Sequence, residues 1–134
     1  MILVFDACAL IALIKQEAGA EAVDSLLSDR NNTCVAHAVN LCEVYYEVAR
    51  VAGEIRAKDT VERLIAAGLF VREDMDIDFW QDAGNLKAQL ARISLADCFC
   101  VALANRLGTE ILTSDHREFD QVAEKGVGKV RFLR

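Results

Sequence analysis

The sequence predicts an α/β domain built on a parallel sheet covered on both faces by helices. Three observations lead there. Short apolar runs alternate along the chain with longer segments of helical spacing, the pattern of repeated strand–crossover–strand units. The runs read as buried strands, as a sheet with helices on both faces requires. The 134 residues contain no proline, no low-complexity tract, no repeat and nothing that reads as a linker, so residues 1–134 are expected to form one domain with a sizeable core.

The elements follow in order. ILVFD (2–6) is a first strand, and ALIALIKQE continues as a helix. GAEAVDSLLSDR (19–30) has helical spacing at Ala22, Val23, Leu26 and Leu27, and NNT breaks it. TCVAH (33–37) is a second strand. VNLCEVYYEVARVAG is a helix stopped near Gly53, and EIRAKDTVERLIAAG another, stopped at Gly68. LFVR (69–72) is a short edge strand. Residues 78–91 are helical, although Gly84 and Asn85 interrupt the pattern. SLADCFCVALANRLG is a helix ending at Gly108, and TEILTSD (109–115) contains the next strand. HREFDQVAEKG is a short helix or a turn, and KVRFLR closes the chain as a last strand.

Composition narrows the class. Hydrophobic residues make up 54% and charged residues 27%, which fits a soluble globular protein. No apolar run is long enough to cross a bilayer, and the apolar start lacks a basic leader and carries Asp6, so neither membrane insertion nor a signal peptide is expected. The five cysteines, Cys8, Cys34, Cys42, Cys98 and Cys100, are odd in number and lack paired C-x-x-C spacing. They read as reduced thiols in a cytoplasm rather than disulfides or a zinc site. A net charge of −6 argues against broad phosphate attraction. It leaves room for a local basic rim, or for a site whose charge a metal reverses.

The acids carry the chemistry. Asp6 ends the first strand and Asp115 directly follows the strand of residues 110–113. Strand carboxyl ends share one edge of an open parallel sheet, and ligands bind there. Helices that follow strands start at the same edge, which brings Asp97, three residues after Ser94, and Glu43, three after Asn40, to that rim. Taken singly, each reads as a helix cap. Ser94-x-x-Asp97 and Asn40-x-x-Glu43 look like capping boxes, and Asp6 and Asp115 can cap the helices that follow them. Taken together, caps explain less, because Asp6 and Asp97 sit in apolar sequence where Ser or Thr would cap without a charge. Two carboxylates about 4 Å apart repel by roughly 4 kcal/mol at an effective dielectric of about 20. Several such pairs rival a domain's whole stability of roughly 5–15 kcal/mol. A convergent cluster therefore takes up protons or binds a cation, and oxygen ligands select a hard ion such as Mg²⁺ or Mn²⁺.

The ordered segments VFDACALIAL, NLCEVYYEV, SLADCFCVALA and ILTSD resemble the PIN-domain ribonucleases, and among them the VapC-type toxins of toxin–antitoxin pairs. The resemblance covers nearly the whole chain. It implies a three-layer α/β/α sandwich with a parallel sheet of about five strands in the order 3-2-1-4-5. It implies metal-dependent cleavage of RNA, a cognate antitoxin whose basic residue can occupy the acidic site, and a homodimer. Residue by residue, Asp6, Glu43, Asp97 and Asp115 match the family's acidic positions as metal ligands and catalytic groups, and Thr113 matches its hydroxyl residue. Asp120 is a weaker candidate for an auxiliary acid. One departure stands out: Cys8 occupies a position where the family often has Ser or Thr, and a thiol bonds a carboxylate or water weakly. Cys8 reads best as an inert buried thiol.

Around the acids, Arg50, Arg56, Lys58, Lys87, Arg92 and Arg117 are candidate phosphate contacts, and Trp80, Tyr45 and Tyr46 candidate stacking residues. Each also reads as an ordinary helix face. His37 reads as a structural histidine and His116 as a surface one. The apolar faces around Leu10–Leu13 and Tyr45–Val51 are candidates for partner burial. Three rival readings remain: a non-catalytic RNA- or protein-binding module whose acids are caps or a docking site for a basic peptide; a phosphotransfer domain with Asp6 as nucleophile, opposed by Cys8 where a second Asp is wanted; and a flap-type DNA nuclease, opposed by the short chain.

Overall fold

A computed structural model describing all 134 residues shows five strands and seven helices. In chain order they are β1 (Ile2–Phe5), α1 (Ala7–Lys15), α2 (Ala20–Ser28), β2 (Thr33–His37), α3 (Ala38–Ala52), α4 (Glu54–Ala66), β3 (Phe70–Arg72), α5 (Ile77–Gln89), α6 (Leu95–Leu107), β4 (Glu110–Thr113), α7 (His116–Glu124) and β5 (Lys129–Phe132). The sheet order is β3-β2-β1-β4-β5, and every pairing is parallel. The fold is the α/β fold of the sequence expectation.

Alternation along the central strand builds the layers. Leu3, Val4 and Phe5 are all fully buried, because β1 lies between covered faces. Leu3 and Phe5 join Leu10, Val23, Leu41, Val44 and Leu64 of α1 to α4 on one face. Val4, turned the other way, joins Phe79, Ala83, Val101, Leu103 and Phe119 of α5 to α7 on the other. Two separate apolar clusters with the sheet between them make the three-layer α/β/α sandwich.

Helix ends differ from the sequence reading in informative ways. The predicted cap Asn40 lies inside α3, which begins at Ala38 and is capped by His37, whose Nδ1 accepts the Val39 N–H at 3.0 Å. Asp6 lies just past β1 and caps α1. The segment read as a short helix or a turn is a nine-residue helix, α7. Gly84 sits inside α5 without breaking it. Chain order reverses between β1 and β4, so the crevice at a switch point opens where Asp6 and Asp115 follow those two strands.

Candidate active site

Asp6 lies buried just past the end of β1. It is 1% exposed; its Oδ1 accepts the Ala9 N–H at 2.8 Å, and its Oδ2 accepts the Thr113 hydroxyl. Its backbone N–H donates to Leu112 O, which ties the start of α1 to the end of β4. Burial pushes its carboxyl up to about 7, against the two hydrogen bonds that favour the anion, and Asp115 and Glu43 add repulsion. Thr113, fully buried, accepts the Asp115 N–H at 2.9 Å while donating to Asp6. One hydroxyl thus fixes two acids.

Asp115 caps α7 through Oδ1, which accepts the Glu118 N–H at 3.2 Å. Glu118 then reaches across to the next helix. Its Oε1 accepts the Ser94 N–H at 3.0 Å. Ser94 Oγ in turn accepts the Asp97 N–H at 3.1 Å, capping α6. The predicted capping box is therefore only half formed within its own segment: Ser94 caps, and the returning carboxylate is Glu118, not Asp97. The Asp97 side chain, 6% exposed, receives no hydrogen bond from the protein and lines the cleft.

Glu43 stands across the cleft on α3. Asn40 Nδ2 donates to Glu43 Oε1 at 3.3 Å and to the Ala96 carbonyl at 3.1 Å, bracing α3 against the first turn of α6. Asn40 Oδ1 is the one buried side-chain oxygen or nitrogen with no partner. Burial raises the Glu43 carboxyl above its ordinary value, the Asn40 bond opposes this, and Glu118 and Glu47 reinforce it. Glu118 is raised by burial too, opposed by the Ser94 N–H and Lys87.

The acids therefore surround an open cleft of about 430 Å³. One carboxylate oxygen each from Asp97, Asp115 and Glu118 lies within 4.8 Å of the others. Glu43 lines the cleft with this trio, whereas Asp6 is buried and does not line it, though it is close enough to Asp115 and Glu43 to feel their charge. Asp97, a residue 6% exposed whose carboxylate opens into the cleft and receives no protein donor, faces two more carboxylates, a donor set that fits a hard divalent cation. The N-termini of α6 and α7 favour the charge of Asp97 and Glu118 without cancelling it.

Glu118 was missed in the sequence. Asp115-x-x-Glu118 has capping-box spacing, but reading that segment as a helix or turn hid it. The weaker candidate Asp120 does not join the site; it pairs with His116 Nδ1 at 2.8 Å. His116 also faces the Arg134 carbonyl and stacks on Phe132. His37 is structural: buried, capping α3, bonded to the Asp74 carbonyl and stacked with Phe79 and Phe99. The reading of Cys8 as a buried thiol is corrected. Its residue is exposed, it lines the cleft, and its Sγ is 4.0 Å from Asp115 Oδ2. The first turn of α1 turns position 8 out of the core while Ala7, Ala9 and Leu10 turn in.

Among the basic candidates, Arg117 lines the cleft and Lys87 binds the Ile93 carbonyl beside it. Arg50 pairs with Glu47 and lies over Tyr46, and Arg56 lines a different groove. That groove, with Ile11, Ile14, Val48 and Val51 along it, joins the two apolar faces singled out in the sequence. Trp80 and Tyr46 are exposed. No helix is long and apolar enough to cross a membrane.

Comparison with known proteins agrees with the geometry. The family model described as the PIN domain matches residues 3–125. A search of curated proteins by sequence returns no match. Among solved structures, the chain is similar to VapBC2 from Rickettsia felis bound to a promoter DNA fragment, at 15% identity and a TM-score of 0.76, covering 98% of each chain. It is similar to DNA-bound VapBC from Salmonella typhimurium, at 18% identity and a TM-score of 0.76, covering 100% of this chain and 99% of that one. It is also similar to VapC20 from Mycobacterium tuberculosis, described as a sarcin–ricin-loop-cleaving toxin, at 14% identity and a TM-score of 0.70, covering 89% and 94%.

Proposed function

The chain belongs to the PIN-domain family, and from that premise we propose that it is a divalent-metal-dependent endoribonuclease, the toxin of a VapBC-type toxin–antitoxin pair. The observation that carries this reading is Asp97: a nearly buried carboxylate that caps nothing, facing Asp115 and Glu118. Asp6 and Asp115 do cap helices, so caps alone account for part of the cluster. They do not account for Asp97.

Asp97 and Asp115, with Glu118 beside them, would hold Mg²⁺ or Mn²⁺, with Asp6 and Glu43 completing the charge around it. When bound, the ion supplies Lewis-acid chemistry at a phosphodiester. The chain's own residues do the rest. Thr113 keeps Asp6 and Asp115 at a fixed separation through one hydroxyl. Glu43, made more basic by burial and held by Asn40, positions the attacking water and accepts its proton. Arg117 at the cleft wall contacts the phosphate backbone.

RNA as the substrate is supported by the likeness to a toxin described as cleaving the sarcin–ricin loop. A cognate antitoxin is supported by the VapBC complexes among the neighbours and by the apolar groove of Ile11, Ile14, Val48 and Val51. A homodimer of single-domain chains acting in the cytoplasm completes the proposal. The test is cleavage of a mixed RNA pool by protein freed of any partner, in Mg²⁺, Mn²⁺ or EDTA, with Asp97→Asn alongside. Cleavage that needs metal and is lost in the variant is expected. Cleavage in EDTA, or an equally active variant, refutes the mechanism.

A further inference from the structure

Cys8 is the one sulfur at the cleft, and the proposed reaction does not use it. It projects from the first turn of α1, exposed, two residues after Asp6. Its Sγ stands 4.0 Å from Asp115 Oδ2. Asp97, more than nine-tenths buried and without a hydrogen-bond donor, faces the same cleft.

We propose that Cys8 makes this centre a capture site for thiophilic divalent cations, Zn²⁺ and Cd²⁺, held by its sulfur together with the Asp115 carboxylate, beside the Asp97 and Glu118 carboxylates grouped with Asp115. The proposal rests on the metal centre inferred above and adds a sulfur to it. In a tetrahedral zinc site, bonds of about 2.3 Å to sulfur and about 2.1 Å to oxygen put the two ligand atoms about 3.6 Å apart. The observed 4.0 Å is a small rotation of an exposed thiol away from that. Oxygen ligands alone leave selection to hard-ion chemistry; one thiolate turns it towards soft ions, and Zn²⁺ already outranks Mn²⁺ at mixed sites. The incoming cation replaces the thiol proton, which leaves to solvent, and no oxidant or reductant is needed.

A nucleophilic or redox-sensing role for Cys8 is the competing idea, and the surroundings oppose it. Cys8 Sγ faces the Asp115 carboxylate and has no hydrogen bond to any basic side chain, so nothing around it activates the thiol as a nucleophile without a cation. The hydroxyl residue expected here from the family resemblance would give an oxygen-only centre. Cys8 is therefore a metal-selecting residue of this chain.

The test titrates CdCl₂ into wild type, Cys8→Ser and Cys42→Ser, reading the ultraviolet thiolate-to-cadmium charge-transfer band. Mn²⁺ binding is followed separately by loss of the free-ion resonance signal. Cys42 is the other exposed thiol and serves as the control. Wild type and Cys42→Ser are expected to show a saturable band. Cys8→Ser is expected to lose it and to bind Cd²⁺ weaker by roughly tenfold or more, while still binding Mn²⁺. A band that survives in Cys8→Ser, or Cd²⁺ that displaces Mn²⁺ from wild type with no band, overturns the role of Cys8 and leaves the carboxylate centre standing. Wild type that binds neither ion overturns the centre and the proposal with it.

Discussion

Replacing Asp6 with Asn should stabilise the metal-free protein, and only at high pH. Asp6 is 1% exposed, and its carboxyl is raised from 3.8 to about 7, chiefly by burial. A raised carboxyl means that the folded state binds more protons than the unfolded chain between those values. Stability is then fully present below about pH 4 and lost as pH rises through about 7. Over that interval, at about 1.4 kcal/mol per tenfold, the loss at pH 8 reaches about 4 kcal/mol. Asn carries no charge and keeps the acceptor for the Ala9 N–H, since Asn and Asp cap about equally well. It weakens the bond from Thr113, at a cost of about 1 kcal/mol. The net effect in EDTA is a gain of about 3 kcal/mol at pH 8, roughly 10 °C in Tm for a chain of this size. At pH 5, where most of the loss has yet to develop, the two effects nearly cancel. Thermal melts of both proteins at pH 5 and pH 8 measure this. A Tm difference that is the same at both values, or a variant less stable at pH 8, refutes the reasoning.

Three further comparisons separate capping from chemistry. Ser94→Ala should destabilise by about 1 kcal/mol because it removes the α6 cap, whereas Asp97→Asn should leave metal-free stability unchanged or higher; denaturant melts that rank them the other way would make Asp97 a structural residue. Glu118→Gln keeps an acceptor for the Ser94 N–H and should melt like wild type while binding Mn²⁺ more weakly; Glu118→Ala should also lose about 1 kcal/mol of stability. Equal melting of the two variants would count against the bridge from α7 to α6. Thr113→Val, nearly isosteric, strips a donor from Asp6 and an acceptor from the Asp115 N–H and should cost about 1–3 kcal/mol by chemical denaturation. A smaller loss would mean that water replaces the hydroxyl.

Much of this was legible because it follows from periodicity and from one rule of sheet geometry. The buried runs at Leu3–Phe5 and Ile111–Leu112 marked the central strands, and the carboxyl-end rule points Asp6, Glu43, Asp97 and Asp115 to one rim, where Glu43, Asp97 and Asp115 line the cleft and Asp6 is buried outside its lining. The misreadings share a cause: local sequence specifies which groups need partners, and the tertiary fold chooses the partners. Asn40 looks like a cap, yet α3 starts three residues earlier because the His37 ring reaches the Val39 N–H. Asp97 looks like the return arm of a capping box, yet Glu118, distant in sequence, takes the Ser94 N–H first. That substitution frees Asp97, and no pattern within residues 94–104 could show it. Cys8 looked buried because its neighbours are apolar, but helical rotation sets it on the opposite side from Ala9 and Leu10.

The central claim is that these carboxylates form a cation centre and not a set of caps. The most direct test is Mn²⁺ titration of purified wild type and Asp97→Asn at pH 8, read by calorimetry and by the free-ion resonance signal. Saturable binding by wild type is expected, weakened by roughly tenfold or more in a variant that remains folded. No binding by wild type, or equal binding by both proteins, would contradict it.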